Sequence, residues 1–235
     1  TDHPVRAVAT AIKMQEAMAE VNRLNAADGL PVLEMGVAIN TGQVVVGNIG
    51  SDRRAKYSIV GSHVNFTSRI EGYAMGGQVI ISAATRERIK DVVKIAQTFE
   101  VEVKGMPDLV TLYQVQGLGD GYHLQLGAKQ EVMVDLPVPL PARLYRLENK
   151  IITGAACTAH IRALSKNAAR VLYEGELKTW DDVNLRFLNP AGDEKPEKLY
   201  GKVIAVRTAD GEHEATVRFS SLTPDAEAAI RTFIS

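Results

Sequence analysis

Asn65 and Arg69 stand four residues apart in Val64-Asn65-Phe66-Thr67-Ser68-Arg69-Ile70-Glu71, a spacing that puts both on nearly the same face of a helix. The arginine carries a planar, permanently charged fork of donors suited to a phosphate group. On spacing alone a surface Asn and Arg are ordinarily just solvated, so the weight rests on what flanks them. Ser58, in Lys56-Tyr57-Ser58-Ile59-Val60-Gly61, offers a hydroxyl that both donates and accepts, or is an ordinary strand serine. Phe66 and Ile70 read as core-facing, and Gly42, Gly47 and Gly50 as turn or close-packing residues. His63 has no partner that would make it a base and reads as a loop residue. No histidine pair has metal-ligand spacing, and the single cysteine, Cys157, sits in an alternating strand as inert core.

The elements that must position these residues are legible in outline. Asp2 is a cap and Pro4 a first-turn residue for a helix whose apolar face is Val8, Ala11, Met14, Met18, Val21 and Leu24. Asp28-Gly29 and Pro31 end it. Leu33, Met35, Val37 and Ile39 alternate as a strand. Asn40-Thr41-Gly42 then turns into a second strand at Val44–Val46, predicting a hairpin between the two. Further strands are expected at Tyr57–Val60, Val79–Ile81, Phe99–Val103 and Leu109–Val115, with helices at Val64–Tyr73 and Ala83–Ile89. The segment is mixed α and β.

Five blocks carry a family resemblance: Gly36 to Gly42, Val46 to Ser51, Lys56 to Gly61, Val64 to Glu71 and Gly77 to Ser82. In order, spacing and residue type they resemble the class III adenylate/guanylate cyclase catalytic domain, five in register over roughly 50 residues. Val103-Lys104-Gly105 and Val110 to Tyr113 continue the match more weakly. The resemblance implies a partial ferredoxin-like fold and a reaction in which a ribose 3′-oxygen attacks the α-phosphorus of a nucleoside triphosphate. It implies that Asn65 positions the ribose and that Arg69 stabilises the transition state. At Ser58 it implies purine selection, leaning towards ATP. Ser62 and His63 depart from the family's usual Asp and small residue. The family's two metal ions, Mg or Mn, are held by aspartates on the N-terminal half of the domain, and no residue here takes that role. Asp2 and Asp28 are cap and turn residues. The chain alone is therefore expected to be inactive as a cyclase, and to need a homodimer partner or the missing N-terminal half.

Gly117-Leu118-Gly119-Asp120-Gly121 interrupts the pattern, dividing the chain into 1–117, a linker at 118–131 and a second domain at 132–235. Pro137, Pro139 and Pro141 predict an extended entry. Strands then alternate around Ala155–Ala163, Val183–Phe187 and Ala215–Phe219, and Thr223-Pro224 caps a last helix, a pattern for a small barrel or sandwich. Ile161 to Ala169 resembles the Asp-x-Ser-x-x-Gly segment of the PilZ β-barrel family, which with an Arg-x-x-x-Arg segment clamps cyclic di-GMP. Here Ala163 and Ala168 replace the Asp and Gly, only Ser165 remains, and Arg143 and Arg146 are three apart inside a strand. This resemblance implies a barrel that has lost the ligand and serves contacts or regulation.

The 235 residues carry a net charge of -1, against a nucleic-acid binder, which needs a basic surface. One cysteine allows no intramolecular disulfide and fits a reducing, cytoplasmic setting. No apolar run approaches the roughly 20 residues of a membrane span. Thr1 is no initiator methionine, so an upstream segment is expected. Without it, Leu33–Ile39 would be an open sheet edge that recruits another chain. Two readings follow: part of an adenylate cyclase with a barrel appended, or a non-catalytic signalling module whose barrel binds a cyclic dinucleotide or a protein.

Overall fold

The computed structural model describes residues 2–30, 32–51, 54–127, 132–148, 151–209 and 211–234. They divide into two units, Thr1–Ala128 and Lys129–Ser235. The first runs α1 (His3–Ala27), β1 (Val37–Ile39), β2 (Val45–Ser51), β3 (Arg54–Val60), α2 (Ser62–Glu71), β4 (Val79–Ser82), α3 (Ala83–Arg88), β5 (Val93–Val101), β6 (Val110–Leu118) and β7 (Leu124–Gln125). One sheet has the order β1-β4-β6-β5, with β7 joined to β6. All four residues of β4 are buried, as a strand covered on both faces requires. β1 pairs with β4 in parallel, Val37 opposite Val79, and β6 runs antiparallel on the other side. Val8, Ala11 and Ile12 of α1 pack with Val79, Ile81, Ile89, Val115 and Leu118.

Several expectations are corrected here. The predicted strand from Leu33 shortens to Val37–Ile39 because side chains of α1 take its backbone groups. Asn22 both donates to the Leu33 carbonyl and accepts from the Leu33 N–H (2.9 and 2.8 Å), and Gln15 donates to the Met35 carbonyl (2.6 Å). A backbone so satisfied has no need of a ladder. The hairpin does not join β1 to β2. β2 pairs with β3 instead, Val45 opposite Val60, as a separate two-stranded sheet, with Val45, Tyr57 and Ile59 exposed. The apolar face of α1 is buried only in its first half, while Met14, Val21 and Leu24 are exposed, and Asp2 sits at the cap position without a side-chain cap bond. Among the described residues β1 has β4 as its one partner, so it is a sheet edge. Part of the segment expected as a linker is also structured, since β7 pairs with β6.

The second unit comprises β8 (Val134–Glu148), β9 (Ile151–Leu164), β10 (Ala168–Tyr173), β11 (Asp182–Leu188), β12 (Glu194–Ala209), β13 (Glu212–Leu222) and α4 (Pro224–Ile234). The strands close into a six-stranded barrel, β10-β13-β12-β11-β8-β9. Closure removes the open edges a short sheet would leave. Leu144, Ile161, Leu185, Leu199, Val203 and Val217 fill the interior, with Ala226 and Ile230 of α4 packed into the same cluster. The spaced prolines lie inside β8 rather than before it. Its pairing with β9 skips from Asp135 to Leu140, where residues without an N–H would break the ladder anyway.

A polar network ties β8, β11 and β12 together. Arg186 stacks over the Tyr145 ring at 4.6 Å, donates to Glu194 Oε2 at 2.5 Å and to Asn184 Oδ1 at 2.8 Å. The Tyr145 hydroxyl donates to Glu194. That bond, with the Arg186 guanidinium behind it, holds the Glu194 carboxyl below the usual carboxylate range, and the same bond, with burial, raises the Tyr145 hydroxyl against the pull of the guanidinium. A depressed carboxylate contributes stability that is complete above its unfolded pKa of about 4.3 and is lost as pH falls through the folded value. The stability difference between the native chain and Glu194→Gln is therefore expected to shrink as pH drops from about 6 to about 3. Denaturant unfolding of the barrel measures it, and a difference that does not vary with pH would contradict the assignment.

Candidate nucleotide-binding site

Helix α2 is flanked by Gly61 and Gly72 at its cap positions, and Ile70 is its buried anchor. With Ile70 facing inward, Asn65 and Arg69 are both exposed, one turn apart. The Asn65 side chain has no hydrogen bond within the described residues. Arg69 makes one bond, from Nη1 to the Lys104 carbonyl at 2.5 Å, and no carboxylate among the described residues pairs with it. A guanidinium has five N–H donors, so most of its capacity faces outward. Tyr73, one further turn along, donates to the Glu102 carbonyl at 2.6 Å. The segment 102–105 between β5 and β6 is thus the second wall of the site, and Lys104, exposed on it, adds another cation. Composition and spacing could not single out Lys104. Its weak Val-Lys-Gly match was the one available signal.

Ser58 lies elsewhere, on β3 opposite Gly47 of β2. It is half-buried and its hydroxyl has no partner within the described residues. No hydrogen bond joins it to Asn65 or Arg69, so these three residues form a helix pair and a separate hairpin position.

His63 is in the first turn of α2, not in a loop. Its ring lies flat on Gly42, where an added Cβ would come within 2.1 Å of the imidazole. Nearby, Asn40 accepts from Ser82 Oγ at 2.7 Å, and buried Thr85 shares a 3.0 Å bond with Thr41. These contacts fasten the end of β1 to α2 and β4, and give His63 a packing role. Among the described residues no group of three or more His, Cys, Asp or Glu side chains could hold a metal ion. No helix of the described residues is long and apolar enough to cross a membrane.

In the barrel, Ser165 is 2% exposed and its hydroxyl is engaged by its own turn. Oγ accepts from the Ala168 N–H at 2.9 Å and from the Asn167 N–H at 3.3 Å. Arg143 and Arg146 are in ion pairs, with Glu194 at 3.9 Å and Asp181 at 3.4 Å. Asp135, the register partner of Ala163, pairs with Arg170 at 2.5 Å.

Comparison with known proteins agrees with both units. Residues 1–117 match the family model for the adenylate and guanylate cyclase catalytic domain, and residues 131–235 match that for the PilZ domain. Adenylate cyclase 1 of Rhizobium meliloti (strain 1021) is 32% identical over 120 residues, 50% of this chain and 18% of that protein. Guanylate cyclase soluble subunit beta-2 of Rattus norvegicus is 31% identical over 117 residues, 49% of this chain and 17% of that protein. The crystal structure of the guanylyl cyclase Cya2 aligns with a TM-score of 0.51 at 48% identity, over 54% of this chain and 64% of that one. The chain spans less than a fifth of the length of these two curated relatives. Its residues 1–117 belong to the adenylate and guanylate cyclase catalytic-domain family and residues 131–235 to the PilZ family.

Proposed function

We propose that the first unit is the part of an adenylate cyclase that binds the ribose and phosphates of ATP, in a protein that makes cyclic AMP and pyrophosphate for signalling. The carrying observation is Arg69: held by one backbone carbonyl, unpaired with any described carboxylate, and one turn from the Asn65 amide, which has no hydrogen bond among the described residues. In the reaction the ribose 3′-hydroxyl loses its proton as its oxygen bonds to the α-phosphorus, and the bond to pyrophosphate breaks. Negative charge gathers on the phosphoryl oxygens, where a fixed guanidinium is worth most. Asn65 orients the ribose from the same helix face, and Ser58 contacts the purine. Relatives carry both adenylate and guanylate names, so the choice of ATP rests on the Ser58 hydroxyl, which can accept from the adenine amino group. The family's Mg or Mn ions do not fit the described residues, which offer no such ligand cluster. A partner subunit or a further part of the domain would supply the metal's ligands. The 235-residue chain incubated with ATP and Mn²⁺ is expected to yield no cyclic AMP above a heat-killed control, and turnover above it would contradict this division of labour.

In the encoded full-length protein, Arg69→Ala is expected to lower kcat by ~10²–10³ with a much smaller rise in KM, as for a donor that acts when charge develops. Steady-state kinetics decide, and near-normal turnover would remove Arg69 from the reaction.

For the barrel we propose contact or regulation without cyclic di-GMP. Ser165 is spent on its own turn, and Arg143 and Arg146 are already paired, so a two-phosphate ligand lacks its guanidinium clamp. Calorimetry at micromolar cyclic di-GMP is expected to show no saturable heat. Saturable heat would favour the alternative, a receptor barrel.

A further inference from the structure

Two bonds join the end of α2 and the turn that follows it to one short piece of backbone. Arg69 donates to the Lys104 carbonyl and Tyr73 to the Glu102 carbonyl. Arg69 lies in the last turn of α2 and Tyr73 in the turn just beyond it. Donors four residues apart, one on the helix and one just past it, thus meet carbonyls two residues apart on segment 102–104. Between those carbonyls Val103 is 3% exposed, and Val101 before it is 1% exposed, so the segment is pinned from its other side. A turn closes it, with the Met106 N–H donating to the Val103 carbonyl at 2.9 Å.

Gly105 completes the cradle. Its φ of +78° is one that L side chains rarely adopt, and a Cβ there would sit 2.9 Å from Arg69 Nη1 and 3.7 Å from its Cζ. The guanidinium thus lies where the missing side chain of residue 105 would be. Any side chain at 105 must push the fork off the Lys104 carbonyl or distort the turn that presents it.

Resting on the reading of Arg69 given above, we propose that Gly105 and Tyr73 are positioning residues for the Arg69 guanidinium. Tyr73 sets the register of α2 on segment 102–104, and Gly105 leaves the space in which the fork is held, its remaining donors turned outward to the phosphates. A charged group fixed before the reaction acts without reorganising. A misplacement of about 1 Å in such a group can cost ~10² in rate.

The test compares Arg69→Ala, Gly105→Ala, Tyr73→Phe and the double variant Arg69→Ala/Gly105→Ala in the encoded full-length protein. Gly105→Ala is expected to lower kcat by roughly 10- to 100-fold with KM within about twofold, and Tyr73→Phe to lower it several-fold in the same way. In the Arg69→Ala background, Gly105→Ala is expected to add nothing, because residues acting through one group are not additive. A full additive loss in the double variant would show a merely structural role and overturn the proposal. So would normal kcat in both Gly105→Ala and Tyr73→Phe while Arg69→Ala is impaired. Normal turnover of Arg69→Ala itself would sink the reading of Arg69 and the proposal together, so the two failures are distinguishable. Side-chain NMR of the 235-residue chain gives a readout without turnover: the Arg69 guanidinium signals should be resolved in the native chain and averaged in Gly105→Ala. Unchanged Arg69 signals in that variant would also overturn it. Tyr73→Phe removes one hydroxyl, and keeps the test open if Gly105→Ala fails to fold.

Discussion

The main sheet of the first unit is built around β4. Its four residues are buried on both faces and bonded on both edges, to parallel β1 and antiparallel β6, so any shift in its register would carry apolar side chains to the wrong face. Ser82, its last residue, links this strand to its surroundings. The hydroxyl accepts from the Thr85 N–H to cap α3 and donates to Asn40 at the end of β1. Asn40 and Gly42 in turn meet His63 at the start of α2. The helix that presents Asn65 and Arg69 is therefore fastened near its start to the end of β1, and at its far end to segment 102–104. Helices held at both ends are rigid supports for a site, in contrast to residues on a free loop.

The barrel keeps its fold while altering the positions that a ligand would use. The interior is complete, yet Ala163 and Ala168 stand where the resemblance implies an acid and a glycine. The retained Ser165 survives for a local reason: its hydroxyl takes two backbone N–H groups of a buried turn, and an orphaned N–H there would carry a desolvation cost of about 1–3 kcal/mol. Arg170 meets Asp135 rather than a phosphate.

The sequence made α2 legible because a dense block of matched residues surrounds it, and the alternating strands announced the barrel. What it hid was mostly non-local. The hairpin was misassigned because Val44–Val46 can pair with either neighbouring strand, and adjacency in sequence does not say which wins. The alternation from Leu33 overextends the strand because Asn22 and Gln15 of α1, distant in sequence, satisfy its backbone instead of a ladder. The Lys104 carbonyl was invisible for a deeper reason. Every residue has a carbonyl, so nothing in the type of residue 104 marks it as the acceptor for an arginine 35 positions away. Charge patterning did not reveal the Arg186–Glu194–Tyr145 network either, since its members come from three strands brought together only on closure.

The proposal that α2 presents its exposed face to the phosphates of a nucleotide is tested most directly by following the Asn65 amide and Arg69 guanidinium signals while ATP is titrated into the 235-residue chain. Saturable shifts of both, reproduced by inorganic tripolyphosphate at Arg69 alone, are the expected result. Saturable shifts confined to other residues, with Asn65 and Arg69 unmoved, would contradict it.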